Sequence, residues 1–481
     1  MISVYIKEQK RYSQDELISI FKNSKVNPIE IIRKLKEFGI LKLVKASNMQ
    51  LNMSDLVDVN TEVVDVVYGD NNYYYVFSFV GVITVAGFVI KCYPKYIKNS
   101  EKPLKELKQI LKVIEKYNRK EQIIKIFNED NKEQSFNILA VLIYLINDYY
   151  ENGIYINSQD IIETNGIGEI LWEKTVNDTF AIISQNRPYY VELQTHKRVN
   201  DDDDYIKRLH ECILTEVSQK LQDAEITDLF DITPVNLTDV KLPDLGDDDY
   251  ILYQIEKELN KQFNTRKQIL LKMLYAYICN KSSIEDIDCF SMYGTNAFNL
   301  IWENACANAM GNVLEYELKR LNLPIPLDQK YNPYSRLISL IDKPYWSAAN
   351  KEANDTLVPD FVSIYKHDDE YQFIIFDAKY YTPKLQLGQD PIGQPGIESI
   401  TKQYLYQQAF KSFVKDHKIN AVKNCFLMPT CENEVKNMGY VSLAMLKNIE
   451  LEDIQIRYLP AQNIYNLYLN NKLFDIKQLG L

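Results

Sequence analysis

An apolar run that ends in two opposite charges constrains the fold of this chain more than any other feature. Residues 371–381 read YQFIIFDAKYY, and the FIIF segment is apolar enough for a strand at the centre of a sheet. Side chains two positions apart on a strand point the same way, so Asp377 and Lys379 face one side together. A buried carboxylate and ammonium are costly without a function, and the plainer alternative is an exposed ion pair at a strand end.

The segment before this run predicts its hairpin partner. Residues 357–365, LVPDFVSIY, have the pattern of a strand, and KHDDE at 366–370 has that of a polar turn. If the two strands pair around this turn, Asp360 reaches the same end of the sheet as Asp377. Two carboxylates and one ammonium would then converge.

This combination of side chains suits the hydrolysis of a phosphodiester bond. Converging carboxylates hold Mg²⁺, a hard cation that prefers oxygen ligands, and Mn²⁺ is the expected substitute. The metal neutralises the phosphate, activates water and stabilises the leaving oxygen. We expect Asp360, Asp377 and the Ala378 backbone carbonyl to bind the metal, and Lys379 to position or deprotonate the attacking water.

Predicted helices on both sides of the hairpin supply further candidates. Glu303, in the predicted helix 298–314, is the candidate third carboxylate, and the alternative is a surface helix residue. Gln403 and Tyr404, in the predicted helix 398–414, would orient the site or contact the substrate strand. Strands at 423–430 and 453–461 follow, and strands that alternate with helices predict an α/β domain.

The start of the chain has the pattern of a small helical module. Asn27-Pro28 is a helix start signal, and the two predicted helices and the strand at 40–44 resemble a winged-helix unit. Arg33, Lys34 and Lys36 would then contact DNA phosphates. A solvated helix face in a packing domain is the alternative.

A lysine stripe is the other candidate surface for a charged partner. The chain has 55 Lys and Arg against 66 Asp and Glu, a formal charge of −11, so it does not coat nucleic acid by bulk electrostatics. Between residues 98 and 125, however, the chain has nine Lys and Arg but only four Glu. Lys105, Lys108, Lys112 and Lys116 share one face of a predicted helix that would follow DNA or a partner, unless that face is simply solvated.

Several classes of protein are disfavoured. Residues 73–90 are uncharged, but their tyrosines, β-branched residues and Gly81 and Gly87 predict two buried strands, so we expect no membrane contact. The 7 cysteines form no CxxC, and the 4 histidines form no HExxH or HxH, which disfavours disulfide frameworks and zinc sites. A reduced, cytoplasmic location is expected.

The hairpin and several longer segments together resemble a known family. VPDFV and FIIFDAKYY resemble the motif of the PD-(D/E)xK nuclease superfamily. More narrowly, the chain resembles the LlaJI-family restriction endonucleases, which are related to the McrC nuclease subunit of McrBC systems. The other segments that carry the resemblance are FVGVITVAGFVIKCYPKYI (79–97), GEILWEKTVNDTFAIISQNRPYYVEL (168–193), NLIWENAC (299–306) and KQYLYQQ (402–408).

The resemblance implies the cleavage subunit of a restriction or phage-defence system that acts on double-stranded DNA. It implies Glu303, Asp360, Asp377 and Lys379 as the active-site set, and an McrB-like AAA+ GTPase as partner. The chain has no P-loop GxxxxGK[ST], so GTP would act only through that partner. The alternatives are a stand-alone type II endonuclease and a catalytically silent subunit that binds DNA or activates the GTPase.

The expected fold is an α/β multidomain protein, and its length predicts two to four domains. The C-terminal domain would be PD-(D/E)xK-like, with a mixed central sheet flanked by helices. The expected domains are a winged-helix-like module (1–50), a β-rich and helical McrC-like domain that docks the partner (51–200), a helical connecting region (201–290) and the nuclease domain (291–481).

Overall fold

Helices and strands alternate along much of the chain in the computed structural model. The structure describes residues 2–24, 26–45, 73–98, 102–118, 138–200, 204–280, 291–367, 370–449 and 451–481. The tip of the predicted KHDDE turn, at 368–369, and the end of the basic segment, at 119–125, lie outside the described residues.

The helices are amphipathic or buried segments. They are α1 (Gln14–Phe21), α2 (Pro28–Glu37), α3 (Leu104–Asn118), α4 (Ile138–Asn152), α5 (Trp172–Asp178), α6 (Tyr205–Asp223), α7 (Leu242–Leu245), α8 (Asp248–Leu259), α9 (Thr265–Asn280), α10 (Phe298–Ala309), α11 (Ile397–Asp416) and α12 (Ala461–Leu469). No helix among the described residues is long and apolar enough to cross a membrane.

The strands fall into separate sheets. They are β1 (Ile2–Lys7), β2 (Arg11–Tyr12), β3 (Leu41–Lys45), β4 (Tyr73–Phe77), β5 (Val80–Val85), β6 (Phe88–Tyr93), β7 (Ser158–Thr164), β8 (Glu169–Ile170), β9 (Ala181–Ser184), β10 (Arg187–Tyr190), β11 (Gln194–Asn200), β12 (Ser291–Thr295), β13 (Tyr345–Trp346), β14 (Lys351–Glu352), β15 (Phe361–His367), β16 (Glu370–Ala378), β17 (Ala421–Thr430), β18 (Lys436–Val441) and β19 (Ile454–Pro460).

The chain divides into two compact units. One comprises Met1–Ile2 and Phe136–Ser291, and the other comprises Ser3–Ser135 and Met292–Leu481. The second unit therefore joins segments from opposite ends of the sequence. The division into four domains stays a prediction.

A mixed five-stranded sheet carries the predicted hairpin in the second unit. Its order is β15-β16-β17-β19-β18, with β16, β17 and β19 parallel and the two edge strands antiparallel. The expected mixed α/β architecture is confirmed. The hairpin register pairs Phe361 with Phe376, so Asp360 lies just before the strand rather than within it. Helix α11 packs Phe410 and Phe413 against Val362 and Phe373 in the core below this sheet.

The N-terminal strands of the second unit form two further sheets. Strand β12 joins β1, β6 and β5 in the order β1-β6-β5-β12, and β2, β4 and β3 pair antiparallel in the order β2-β4-β3. Helices α1 and α2 lie between β2 and β3 in the chain, and α2 begins at the predicted Asn27-Pro28 signal. The uncharged run at 73–90 is β structure, as predicted, but it contributes to three strands rather than two.

Helix α3 belongs to the same unit and packs against α12 near the C-terminus. Gln109 Nε2 donates hydrogen bonds to Gln462 O at 2.8 Å and to Asn466 Oδ1 at 2.7 Å. These polar contacts fix the two helices against each other along their partly buried faces.

The first unit combines helices α4, α6, α8 and α9 with a three-stranded sheet in the order β7-β11-β8. The sequence predicts strands around a turn at Arg187-Pro188. The structure instead places the turn of the β9-β10 hairpin at Gln185 and Asn186, which both have positive φ. Asparagine tolerates this conformation better than most residues, whereas proline cannot adopt it.

Two glycines permit the close approach of β5 and β12. A Cβ atom added to Gly81 would lie 2.2 Å from the Tyr293 carbonyl oxygen, and one added to Gly294 would lie 2.2 Å from the Val80 carbonyl oxygen. Both distances are far inside van der Waals contact. Only glycine therefore fits at either position without displacing the backbone.

We expect Gly294→Ala to destabilise the protein by about 1–3 kcal/mol, because the new methyl group collides with backbone atoms of β5. The measurement is the urea unfolding midpoint of the full chain. Gly396→Ala is the matched control, since a Cβ at Gly396 would have no atom within 4 Å. Equal midpoints for the two variants would contradict the close packing of β5 on β12.

Candidate active site

A hydrogen bond across the hairpin brings the two predicted aspartates together. The Ala378 N–H donates to Asp360 Oδ2 at 2.8 Å. Asp377, the neighbour of Ala378 in β16, is 5% exposed, and Asp360 is half-buried. The turn before β15 and the end of β16 thus present both carboxylates at one edge of the sheet.

Lys379 neutralises part of this charge. Its Nζ lies 2.7 Å from Asp377 Oδ1, and its side chain is 21% exposed. The two residues share one side, as the two-residue strand period predicts. Burial lowers the pKa of Lys379, but the Asp377 and Asp360 carboxylates outweigh that effect and raise it, so the ammonium stays protonated at neutral pH.

Asp377 lies in an environment that opposes its ionisation. Burial raises its pKa well above the usual range, and the Asp360 charge raises it further. The Lys379 ammonium acts in the opposite direction without cancelling the rise. Added positive charge at this site would therefore lower the pKa of Asp377.

Glu303, in helix α10, is the predicted third carboxylate of the site. It is half-buried, and its pKa is raised to about 7 by burial and by Asp360, while Lys379 opposes the shift. The helix is anchored beside the site by Trp302, whose Nε1–H donates to the Leu427 carbonyl of β17 at 3.3 Å. The structure thus brings the predicted third carboxylate into the electrostatic field of Asp360 and Lys379.

The donor set fits a hard divalent cation in chemical type. Asp360, Asp377 and Glu303 offer carboxylate oxygens. Added positive charge would lower the raised pKa values of Asp377 and Glu303. Among the described residues, no three acidic, histidine or cysteine side chains stand ready as a complete metal cage. A cation would therefore have to draw the carboxylates inward, in competition with Lys379.

The two predicted support residues on α11 lie in different surroundings. Gln403 is fully buried, and its Nε2 donates to the Ile375 carbonyl of β16 at 2.9 Å. Its Oε1 has no hydrogen-bond partner among the described residues. Tyr404 packs in a hydrophobic cluster with Phe426 and Met428.

Tyr406, which the sequence pattern did not single out, supports the turn before Asp360 from α11. Its hydroxyl donates to the Val358 carbonyl at 2.8 Å, two residues before Asp360. Burial, with Asp377 and Asp360, raises its pKa to about 12. Helical spacing is the signal that could have found it, because residues three apart share a face and Tyr406 is three after Gln403.

Asn312 is a second support that the sequence analysis did not identify. Its Oδ1 accepts hydrogen bonds from the N–H of Leu314 at 2.9 Å and of Val362 at 3.2 Å. Because Asn312 follows α10 and Val362 belongs to β15, this residue ties the Glu303 helix to the strand that follows Asp360. Only the turn propensity of Gly311-Asn312 marks it in the sequence.

The predicted lysine stripe is not one uniform surface. Lys116 Nζ donates to the Tyr468 carbonyl at 2.5 Å and to Asn471 Oδ1 at 2.7 Å, so it caps the C-terminal end of α12. Lys105 and Lys112 are exposed, and Lys108 is half-buried. For Lys116 the structure therefore provides a role within the fold.

The predicted DNA-contacting residues of α2 also differ in exposure. Arg33 is exposed, whereas Lys34 and Lys36 are half-buried. Lys34 Nζ lies 5.7 Å from the centre of the Phe38 ring. The DNA contact of all three residues stays a prediction.

Comparison with known proteins identifies relatives across most of the chain. A family model described as LlaJI restriction endonuclease matches residues 79–462. The Type II restriction enzyme BsuMI component YdjA of Bacillus subtilis (strain 168) is 28% identical over 426 residues, which cover 86% of this chain and 85% of the relative.

Solved structures give weaker similarities. A half-complex of Thermococcus gammatolerans McrB AAA+ hexamers with bound McrC aligns over 98% of this chain and 99% of that chain, with 13% identity and a TM-score of 0.33. The cryo-EM structure of the Thermococcus gammatolerans McrBC complex aligns over 58% and 79%, with 12% identity and a TM-score of 0.24. Scores this low do not establish a shared fold.

The family match covers well over half of the 481 residues and includes the hairpin and both flanking helices. The resemblance recognised in the sequence is thereby confirmed, and the enzyme is an endodeoxyribonuclease. The chain belongs to the LlaJI restriction endonuclease family.

Proposed function

We propose that Glu303, Asp360, Asp377 and Lys379 form an Mg²⁺-dependent centre that hydrolyses phosphodiester bonds of double-stranded DNA. The observation that carries this proposal is the buried Asp377, which pairs with Lys379 at 2.7 Å beside the Asp360 carboxylate. Structural ion pairs are normally exposed or fully compensated, whereas this one adds a second carboxylate to a desolvated site.

Each side chain has a distinct task in this proposal. The carboxylates of Asp360, Asp377 and Glu303 and the Ala378 carbonyl would hold the metal, which supplies charge neutralisation and activation of water when bound. Lys379 orients the attacking water or a phosphate oxygen. Because its pKa is raised, it acts as a positioned cation rather than as the group that removes the proton.

The fold supports a PD-(D/E)xK arrangement around this centre. The aspartate turn, the Asp-Ala-Lys strand end and the Glu-bearing helix meet at one edge of a mixed sheet. The β2-α1-α2-β3-β4 order of the N-terminal segment, with β4 between β2 and β3, supports the winged-helix interpretation. Arg33, Lys34 and Lys36 on α2 would then contact the DNA backbone.

We further propose that the chain cleaves DNA together with an McrB-like AAA+ GTPase. The relative from Bacillus subtilis bears the name of a restriction enzyme component, which supports an enzyme of several chains. This chain has no P-loop motif, so GTP hydrolysis would belong to the partner. A reducing, cytoplasmic location is also part of this proposal, and the cysteines among the described residues form no disulfide bond.

Two alternatives remain testable beside this proposal. A stand-alone type II enzyme would cut without GTP or a partner. A catalytically silent subunit would stimulate a GTPase equally well with and without Asp377. The grouping of Asp360, Asp377 and Lys379 favours an active site over a silent one.

We expect Asp360→Asn and Asp377→Asn each to lower DNA cleavage by about 1000-fold or more, since each removes a metal-binding charge worth several kcal/mol. Cleavage of supercoiled plasmid is measured with and without GTP and a co-purified McrB-like GTPase. Asp355→Asn, an exposed aspartate just before the same turn, is the matched control. Wild-type cutting by Asp377→Asn would refute the site, and cutting without GTP and the GTPase would favour the stand-alone alternative.

We expect the metal requirement to be visible without a cleavage assay. Isothermal titration of the full chain with Mg²⁺ or Mn²⁺ should give a binding signal that Asp377→Asn removes. Ca²⁺ should bind but support much slower cutting, because its looser coordination activates water poorly. Equal Mg²⁺ binding by the wild type and Asp377→Asn would show that the carboxylates do not hold the metal.

Glu303 links folding stability to pH in the metal-free protein. Because its folded pKa of about 7 lies above 4.5, its contribution to stability is full below pH 4.5 and is lost as pH rises towards 7. Glu303→Gln should therefore lose less stability between pH 5 and pH 8 than the wild type, as measured by urea midpoints in EDTA. The exposed Glu352→Gln should keep the wild-type pH dependence, and the same dependence in Glu303→Gln would exclude a buried, proton-holding Glu303.

A further inference from the structure

A buried carboxylate outside the proposed active site contacts the segment that follows its lysine. Glu8, in the turn after β1, is 5% exposed. Its Oε2 accepts a hydrogen bond from the Tyr380 hydroxyl at 2.5 Å, and Tyr380 is the residue after Lys379. Glu8 is held in place by its own N–H, which donates to the Tyr93 carbonyl at the end of β6 at 2.9 Å.

Lys95 completes this buried network. Its backbone N–H donates to the same Glu8 Oε2 at 3.2 Å, and its ammonium donates to Gln9 Oε1 at 2.9 Å. The ammonium also lies 4.6 Å from the centre of the Tyr380 ring. Buried charges are expensive unless they are mutually satisfied, so such a network favours a single arrangement of the groups it joins.

The Tyr380 ring is fixed as well as its hydroxyl. It makes edge contacts with the ring of Phe298, 5.2 Å between centroids, and with that of Tyr96, 6.3 Å between centroids. Phe298 is the first residue of α10, the helix that carries Glu303. Tyr380 therefore joins the strand end of Lys379, the helix of Glu303 and the Glu8 turn.

The four-stranded sheet that contains β1 and β12 leads to two sides of the proposed site. In the order β1-β6-β5-β12, β1 ends just before Glu8 and β6 ends just before Lys95. At the other edge, β12 ends at Thr295, three residues before α10 begins. Strands from both ends of the chain thus join in one sheet that supports the lysine side and the glutamate side of the proposed centre.

We propose that Glu8 is a positioning residue for DNA cleavage, which acts through the Tyr380 hydroxyl to hold the backbone of Lys379 and Asp377. This inference rests on the proposed catalytic role of Lys379. Glu8 itself does not contact the reacting atoms. Loss of its hydrogen bond would release Tyr380 and let the Lys379 ammonium drift from its place beside Asp377.

The test is a double-mutant cycle on the full chain with Glu8→Leu, which is similar in size but cannot accept a hydrogen bond, Tyr380→Phe and the combined variant. We expect each single change to lower kcat for plasmid cleavage by about 10- to 100-fold, because small displacements at a reacting centre have effects of this size. KM for DNA should stay within about 2-fold of wild type. The combined variant should be no slower than the slower single variant, since both changes remove one interaction.

Two comparison variants make the result specific. Tyr75→Phe removes a buried tyrosine hydroxyl that has no hydrogen-bond partner among the described residues, and it should keep the wild-type kcat. Lys379→Ala should be inactive. Circular dichroism and the thermal midpoint establish that each variant is folded.

The outcomes distinguish a failure of the Glu8 inference from a failure of the proposed active site. A wild-type kcat in Glu8→Leu or Tyr380→Phe, with Lys379→Ala inactive, would overturn the role of Glu8 alone. Multiplying effects in the combined variant would also overturn it, because Glu8 would then act by another route. If Glu8→Leu fails to fold, Tyr380→Phe decides, since it keeps the ring and removes only the hydroxyl. Full activity of Lys379→Ala would instead overturn the proposed active site.

Discussion

The hydrogen bond from the Ala378 N–H to Asp360 Oδ2 is the interaction on which the proposed site depends. Two carboxylates at one sheet edge repel each other, and neither would remain there on electrostatic grounds. A backbone donor fixes one of them, and the Lys379 ammonium partly neutralises the other. The remaining negative charge is desolvated, which is the condition under which a divalent cation binds with most benefit.

Residues on or just after the helices on each side fix the backbone around this sheet edge. From α11, Tyr406 donates a hydrogen bond to the Val358 carbonyl before Asp360, and Gln403 donates one to the Ile375 carbonyl of β16. From the end of α10, Asn312 holds the N–H of Val362 in β15. Each of these side chains binds backbone rather than another side chain. The positions of the charged groups therefore follow from main-chain geometry that is fixed independently of their protonation.

Local patterns predicted the hairpin, the strand pairing near Asp360 and the start of α2, because short-range periodicity and capping determine those features. They could not predict the features that long-range contacts determine. Lys116 looked like one of four equivalent stripe residues, yet it caps a helix some 350 positions later in the chain. The role of Tyr406 could not be predicted, because the rotation of α11 about its axis is set by packing on the sheet.

The four-stranded sheet has a consequence for how this family can be re-engineered. Glycines at 81 and 294 let an upstream strand lie directly on β12, and Glu8 reaches Tyr380 across 372 positions of sequence. The last 190 or so residues therefore do not form an independent nuclease domain that could be transferred to another protein. Grafting them onto another targeting protein would expose an unsatisfied sheet edge and leave a buried tyrosine hydroxyl without its acceptor. A functional chimera would have to keep both the N-terminal and the C-terminal segments of this unit. The foreign domain would have to be inserted between them.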